Sequence, residues 1–267
     1  MQRIQMKEVF RRISKTRRNS GLPSRIAVIG LLSGGAIVVA SVGALPTSQT
    51  ARQDPSSQER FDMEVRADFF TGFRGDEAAL ERGMRKCEEA LAKDPKNAEA
   101  LVWHGSGLSY SAKKEFMAGN FEKGREIQER GVAEMNEAVA LRPDDVRVLI
   151  PRAAVFLSAA MHVPSAEAAK RDFRIAAGDY EKVLQLQTAH FSELPVHARG
   201  ELLGGLAEAW NGLGETEKSL NYRKLMIEEL PETAYASRAK QTLEGEQKSG
   251  PLGTTCLGCH VPGKGAN

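Results

Sequence analysis

Cysteine is scarce in this chain: it occurs three times in 267 residues, and two of the three are Cys256 and Cys259. So few thiols exclude a disulfide framework, and packing must hold the fold. The sequence also lacks G-x-x-x-x-G-K-[ST], G-x-S-x-G and H-E-x-x-H, which excludes a Walker phosphate loop, a nucleophile elbow and a zincin helix. Adjacent carboxylates do occur, at Glu88-Glu89, Asp144-Asp145 and Glu228-Glu229. Sequence neighbours point to different sides of a helix or sit in a turn, so these are expected to be solvated charge. With no catalytic constellation in the sequence, the chain is not expected to be an enzyme. A basic excess is missing from the body as well. Residues 1–25 carry +7, whereas residues 26–267 sum to −5. A mildly acidic body argues against a nucleic-acid partner.

Charge of either sign is absent from residues 26–51. The apolar core of that run, 26–45, is about 20 residues, long enough as a helix to cross a bilayer of about 30 Å. It comes after the basic segment 1–25, the order of a secretory signal or a signal-anchor. Val42-Gly43-Ala44 offers small residues for cleavage, while the length of the run suits a retained transmembrane anchor. Both alternatives export the rest of the chain, either anchored to the membrane with the body outside the cytoplasm or released as a periplasmic or secreted protein. Residues 46–57 are polar, hold two prolines and show no apolar period, so they read as a flexible linker.

The body, 58–248, repeats itself. Gly83, Cys87, Ala90 and Pro95 fall on Gly131, Met135, Ala138 and Pro143 at an offset of 48. The first three positions of each set share a helix face on which small residues admit a neighbouring helix, and the proline stops the helix. Cys87 stands in the slot that Met135 fills, which makes it a buried apolar side chain. Leu206-Ala207, Trp210, Gly214, Ser219, Met226 and Pro231 form a third copy, and Ala176, Tyr180 and Val183 a weaker fourth. Helices are expected over 58–71, 76–92, 97–117, 121–141, 145–161, 165–187, 196–212, 215–229 and 232–246, the last a cap with Glu232, Ser237, Arg238, Gln241 and Glu244 on its polar face.

This spacing resembles the tetratricopeptide repeat (TPR) superfamily across roughly residues 60–245. The resemblance implies an all-α fold, a TPR-like solenoid of antiparallel helix pairs, preceded here by the N-terminal signal or transmembrane helix. The first pair departs from the family pattern, since Phe69-Phe70-Thr71-Gly72-Phe73-Arg74-Gly75 replaces the usual first helix. The offset of 48 exceeds the family's 34 because the third and fourth helices are long. The family's concave face takes a protein partner, so a scaffold that mediates protein–protein interaction is implied. Trp103, Tyr110, Phe116 and Phe121 can line that face, although core packing is the simpler expectation for large aromatics.

The tail, 249–267, contains Cys256-Leu257-Gly258-Cys259-His260, which is C-x-x-C-H, the haem-attachment sequence of c-type cytochromes. Two thiols three positions apart can each form a thioether to a haem vinyl group, and His260 then reaches the iron as proximal ligand. An exported location suits such attachment, and electron transfer or assembly of a redox complex would be its use. A cytochrome c fold has several helices and a methionine after this motif; residues 261–267 supply neither. Any haem must therefore pack on the body or stay exposed. His104, His162, His190 and His197 are the candidate distal ligands, and spacing does not select among them. Two other readings of the pentapeptide stay open: a dithiol or metal site one ligand short of a zinc shell, and an accidental motif on a partner-binding envelope protein without haem.

Overall fold

The computed structural model describes residues 60–245, and within them the chain forms nine α-helices, one 3₁₀ turn and no strand. The helices are α1 (Phe61–Gly72), α2 (Glu77–Lys93), α3 (Ala98–Met117), α4 (Phe121–Leu141), α5 (Val146–Ala160), α6 (Ala166–Gln187), α7 (Val196–Gly212), α8 (Thr216–Glu229) and α9 (Ala234–Leu243), with the 3₁₀ turn Thr188–Glu193 between α6 and α7. The all-helical expectation holds, and each expected helix is present with ends close to those read from the sequence. The basic segment, the apolar run 26–45, the linker 46–57 and the tail 249–267 lie outside the described residues. Among the described residues no helix is long and apolar enough to cross a membrane.

Local chemistry sets the helix ends. Asp76, Asn97, Asp145, Ser165 and Thr233 each accept a backbone N–H from the first turn of the next helix. Each satisfies one of the donors that a helix start leaves without a partner. Gly119 and Gly214 close α3 and α7 at φ +83° and +77°, left-handed geometry that a residue with a Cβ rarely adopts. Two details depart from the sequence expectation. The last helix starts at Ala234 rather than 232, because Glu232 takes φ +64° and Thr233 becomes the cap. The 3₁₀ turn has no counterpart in the sequence expectation; it buries Phe191 before Pro195 starts α7.

Each helix packs antiparallel to the next. Along α3 and α4, His104 meets Glu134, a Cβ on Gly105 would press on Gly131, and Phe116 lies on Gly124. Numbers that rise on one helix fall on the other, so the pair is antiparallel. The same inversion joins α1 to α2 (Phe69 with Gly83, Gly72 with Leu80) and α6 to α7 (Phe173 with Gly212, Tyr180 with Gly205). The odd-numbered helices also touch each other, α1 with α3, α3 with α5 and α5 with α7. Contacts of α1 with α3 run in parallel, from Asp62 with Glu99 to Phe69 with Trp103 and Phe73 with Tyr110.

This alternation creates two edges. The near edge holds the chain entry at 60 and the connections 94–97, 142–145, 188–195 and 230–233. The far edge holds 73–76, 118–120, 161–165 and 213–215, together with Gly245 after α9. The near-edge origin of α9 is fixed by Tyr235, which bonds Glu201 and His197 at the start of α7.

The small-residue face reads as expected. Gly83, Cys87, Gly131, Met135 and Ala138 are buried, and so are Ala176, Tyr180 and Val183 of α6 and Ser219 and Met226 of α8. A Cβ on Gly83 would meet the Phe69 ring at 2.9 Å, and one on Gly131 would meet the Gly105 carbonyl oxygen at 2.8 Å. Each glycine thus faces the helix preceding its own, and the helix pairs are held at close approach. On α9 the polar face lies outward: Ser237, Gln241 and Glu244 are not buried and Arg238 is exposed in part, while Ala236 and Ala239 pack inward.

Candidate functional site

Cys256, Cys259 and His260 lie outside the described residues, so the question for the body is what it offers a partner or a cofactor. The odd-helix face offers aromatic rings first. Phe69, Phe70 and Phe73 of α1 pack against Trp103 and Tyr110 of α3, with ring centroids 5.3–5.8 Å apart. Such tilted and edge-on pairs are favourable beyond the area they bury. The phenylalanines that made the first pair atypical in sequence are therefore a packing device against α3. Trp103 is buried, but its indole Nε1 has no hydrogen-bond partner within the described residues. Phe70, Phe73 and Tyr110 remain half-exposed beside it.

Core packing accounts for Trp103 and in part for Tyr110, but not for the other two aromatics. Phe116 is 37% and Phe121 63% exposed, with Met117 between them at 79%. The reason is length. Helices α3 and α4 have 20 and 21 residues, against 17 in α2 and 15 in α5, so among the described residues no neighbouring helix covers their shared tip. Sequence hydropathy registers those side chains as core because it carries no information about which helices end first.

The four body histidines have four different surroundings. His104 is buried in α3, its Nδ1 2.5 Å from the Glu134 carboxylate and its Nε2 3.7 Å from Glu88. Arg130 bonds the other oxygen of Glu134. His190 and His197 sit at the near edge, with Nδ1 facing Glu193 and the Tyr235 hydroxyl respectively. His162 sits in the far-edge turn after α5, exposed, with Nδ1 2.7 Å from the Ser158 carbonyl. A carbonyl only accepts, so Nδ1 carries the proton and Nε2 of the neutral ring carries the lone pair. Among the described residues no group of histidine, cysteine and carboxylate side chains comes together in a way that would hold a metal ion. Cys87 is fully buried, and burial, with the Glu134 and Glu88 charges, pushes its thiol far above the usual range. A thiol held protonated is inert, in keeping with a packing role.

Ion pairs hold the near edge, and the sequence pattern does not reveal them. Glu99 accepts the Asp62 backbone N–H and pairs with Arg147 at 2.9 Å and Arg142 at 3.5 Å. Asp145 caps α5 and chelates Arg147 at 2.7 Å, while Arg60 pairs with Asp62 at 2.9 Å. This links the starts of α1, α3 and α5. Asp145 and Glu229, both only partly exposed, thus depart from the expected solvated charge, whereas Glu88, Glu89, Asp144 and Glu228 stay exposed. Two further pairs lie deeper, Arg152 with Asp179 at 2.7 Å and Arg223 with Glu208 at 2.9 Å.

Burial alone would raise the Asp145 carboxyl, but hydrogen bonds from the Arg147 side chain and backbone, with the Arg147 and Arg142 charges, outweigh it and hold it below its ordinary value of 3.8. A lowered carboxyl stabilises the fold above that value, and the contribution is lost as pH falls through the lower folded value. Asp145→Asn is therefore expected to lower the urea midpoint at pH 7, by an amount that shrinks as pH is taken below 3.8. Urea titrations at a series of pH values measure this, and a gap of constant size would contradict it.

The chain matches no protein-family model and no curated protein sequence.

Proposed function

We propose that this protein is an extracytoplasmic TPR-like scaffold that binds a protein partner on its odd-helix face and carries haem c on its C-terminal tail. The observation that supports the scaffold most is the repeated small-residue slot. Gly83 and Gly131, 48 residues apart, each meet the helix preceding their own, and Cys87 and Met135, at the same offset, are both fully buried. A chain of such pairs buries one continuous core and leaves its odd-helix face for a partner, the arrangement of a helical-repeat solenoid. The half-exposed Phe70, Phe73 and Tyr110 suit a peptide or helix with apolar anchors. The basic and apolar N-terminal segments support export, with membrane anchorage if the segment is retained.

The tail motif supports haem c. Cys256 and Cys259 would form the thioethers and His260 the proximal bond, and the group when bound supplies one-electron exchange. His162 presents an exposed imidazole oriented through Nδ1, and Phe116, Met117 and Phe121 present exposed apolar surface on the same edge.

The test is expression of the full chain in a host with haem c maturation, then a haem-stained denaturing gel. Staining at the size of the chain is expected, and it is expected to vanish in Cys256→Ala/Cys259→Ala. An exported full-length product without covalent haem would overturn the haem reading and leave a partner-binding scaffold whose tail holds a metal or nothing, which metal analysis of the same two proteins then decides.

A further inference from the structure

We propose that the tip shared by α3 and α4 docks on an anionic phospholipid bilayer, with Phe116, Met117 and Phe121 entering the headgroup layer and Lys113 and Arg125 meeting lipid phosphates. The proposal goes beyond the scaffold and haem readings and uses only residues of the body. Three observations on the tip lead to it.

The first is how the apolar side chains are held. Phe116, Met117 and Phe121 are all exposed and stand around the turn at Gly119, where α3 gives way to α4. The Phe116 ring lies on Gly124 of the facing helix. Across the turn, the Asn120 amide and the Lys123 ammonium both reach the Glu115 carboxylate, at 2.8 and 2.7 Å. The tip is thus shaped before any partner arrives, and little ordering opposes docking.

The second is the charge behind those side chains. Lys113 precedes Met117 by four residues and Arg125 follows Phe121 by four. Each cation therefore sits one helical turn, about 5.4 Å, behind an exposed apolar side chain on the same helix face. Both cations are exposed, and among the described residues neither has an ion-pair partner, whereas Lys114 is held by Glu77 and Lys123 by Glu115. Glu122 is the one opposing charge within 113–125 outside an ion pair. An apolar end with cations one turn back has the layering of a bilayer surface, in which acyl chains lie beneath phosphates.

The third is the contrast with the rest of the body. Residues 113–125 hold four cations and two carboxylates, whereas the remainder of 60–245 holds 22 cations and 29 carboxylates. An anionic surface attracts the tip and repels the rest, so the body approaches it tip first. The same charges disfavour a second copy of the chain as the occupant, since two tips in contact would bring like cations together. Area argues the same way. The three side chains expose on the order of 350 Å², well under the roughly 800 Å² per partner of a stable protein interface.

The test uses the full chain carrying Met117→Trp, with helix content checked by circular dichroism, and reads the difference in tryptophan emission from the unsubstituted protein. Vesicles of phosphatidylcholine with about 30% phosphatidylglycerol are expected to shift that emission to the blue, and lipids brominated just below the headgroup are expected to quench it. Gln241→Trp on α9 is the control and is expected to show neither change. Adding Lys113→Gln/Arg125→Gln to Met117→Trp is expected to cut the quenching by more than half, as is raising the salt, because both remove the attraction to lipid phosphates. Emission unmoved by anionic vesicles, or quenching that survives the loss of both cations, overturns the proposal. A shift that grows with protein concentration in the absence of lipid makes a second copy the occupant and overturns it as well.

Discussion

Arg223→Ala is expected to destabilise the body by about 3–5 kcal/mol, because it strips the partner from a carboxylate buried with it. Arg223 of α8 and Glu208 of α7 are 2.9 Å apart, with side chains 3% and 7% exposed. Burial pushes the Glu208 carboxyl up, and the Arg223 charge only partly pulls it back. Without Arg223 the carboxylate must either stay charged in a dry environment or take up a proton. Glu208→Ala leaves the guanidinium stranded and is expected to cost a similar amount. Replacing both at once, as Glu208→Leu/Arg223→Met, is expected to recover most of the loss, since apolar pairs of similar volume substitute well for buried ion pairs. For a chain of this size the single substitutions correspond to a fall in Tm of roughly 10 °C. Lys114→Ala, which breaks an exposed pair with Glu77, serves as the control and is expected to leave Tm unchanged. Thermal unfolding monitored by circular dichroism measures all of these. A loss in Arg223→Ala no larger than in Lys114→Ala would contradict the burial of this pair as a stabilising unit.

Gly105→Leu is expected to have an effect of the same order on the α3–α4 pair. A Cβ at 105 would lie 2.6 Å from the Gly131 carbonyl oxygen and 3.2 Å from the Met135 backbone nitrogen. A Cβ at 131 would lie 2.8 Å from the Gly105 carbonyl oxygen. Both obstacles are backbone, so no rotamer change relieves them, and the helices must move apart. Overpacking of this kind costs about 1–3 kcal/mol and more where backbone must shift. Even Gly105→Ala is expected to destabilise, although alanine favours a helix by about 1 kcal/mol over glycine. Gly178 of α6 provides the contrast. A Cβ there would meet nothing within 4 Å, so Gly178→Ala is expected to stabilise by about 0.5–1 kcal/mol. The opposite signs of two Gly→Ala substitutions in helices make the comparison sharp, and urea unfolding reads both. Gly105→Ala as stable as the unsubstituted protein would show that the two backbones do not meet at this distance.

Helix existence and boundaries are legible in the sequence because their causes are local. Asp76, Asn97, Asp145 and Ser165 signal starts by their own side chains, and Pro95 and Pro143 signal stops by lacking an N–H. The small-residue slots are legible as well, since Gly83, Cys87, Gly131 and Met135 recur at helical spacing with a fixed offset. Their partners are not. Gly131 stands out by repetition, whereas Gly105 has no repeat-mate and gains its meaning from the oxygen across from it. Hydropathy places Phe116 and Phe121 in the core because it is read without knowing where neighbouring helices end. Sequence adjacency places Asp145 in solvent because its partners, Arg142 and Arg147, meet it only when α4 turns into α5.

The candidate site divides along the same line. The pentapeptide at 256–260 is visible in sequence, because thioether attachment needs two cysteines and a histidine at fixed local spacing. The surroundings of the body histidines are invisible there, since His104, His162, His190 and His197 differ in sequence by nothing that bears on burial or partner. Sequence by itself determined that the body is helical, where most of its helices start and stop, and which residue types it offers for chemistry. These outcomes arise from dihedral preference, capping and covalent spacing, all of which act within a few residues. Only the tertiary structure decided that the turns alternate between two edges, that His104 is sealed beside Glu134, that His162 faces solvent at the edge where the chain leaves α9, and that Arg223 is buried against Glu208. Those outcomes depend on the order and length of helices packed far apart in sequence, and burial and charge pairing have no existence until the helices meet.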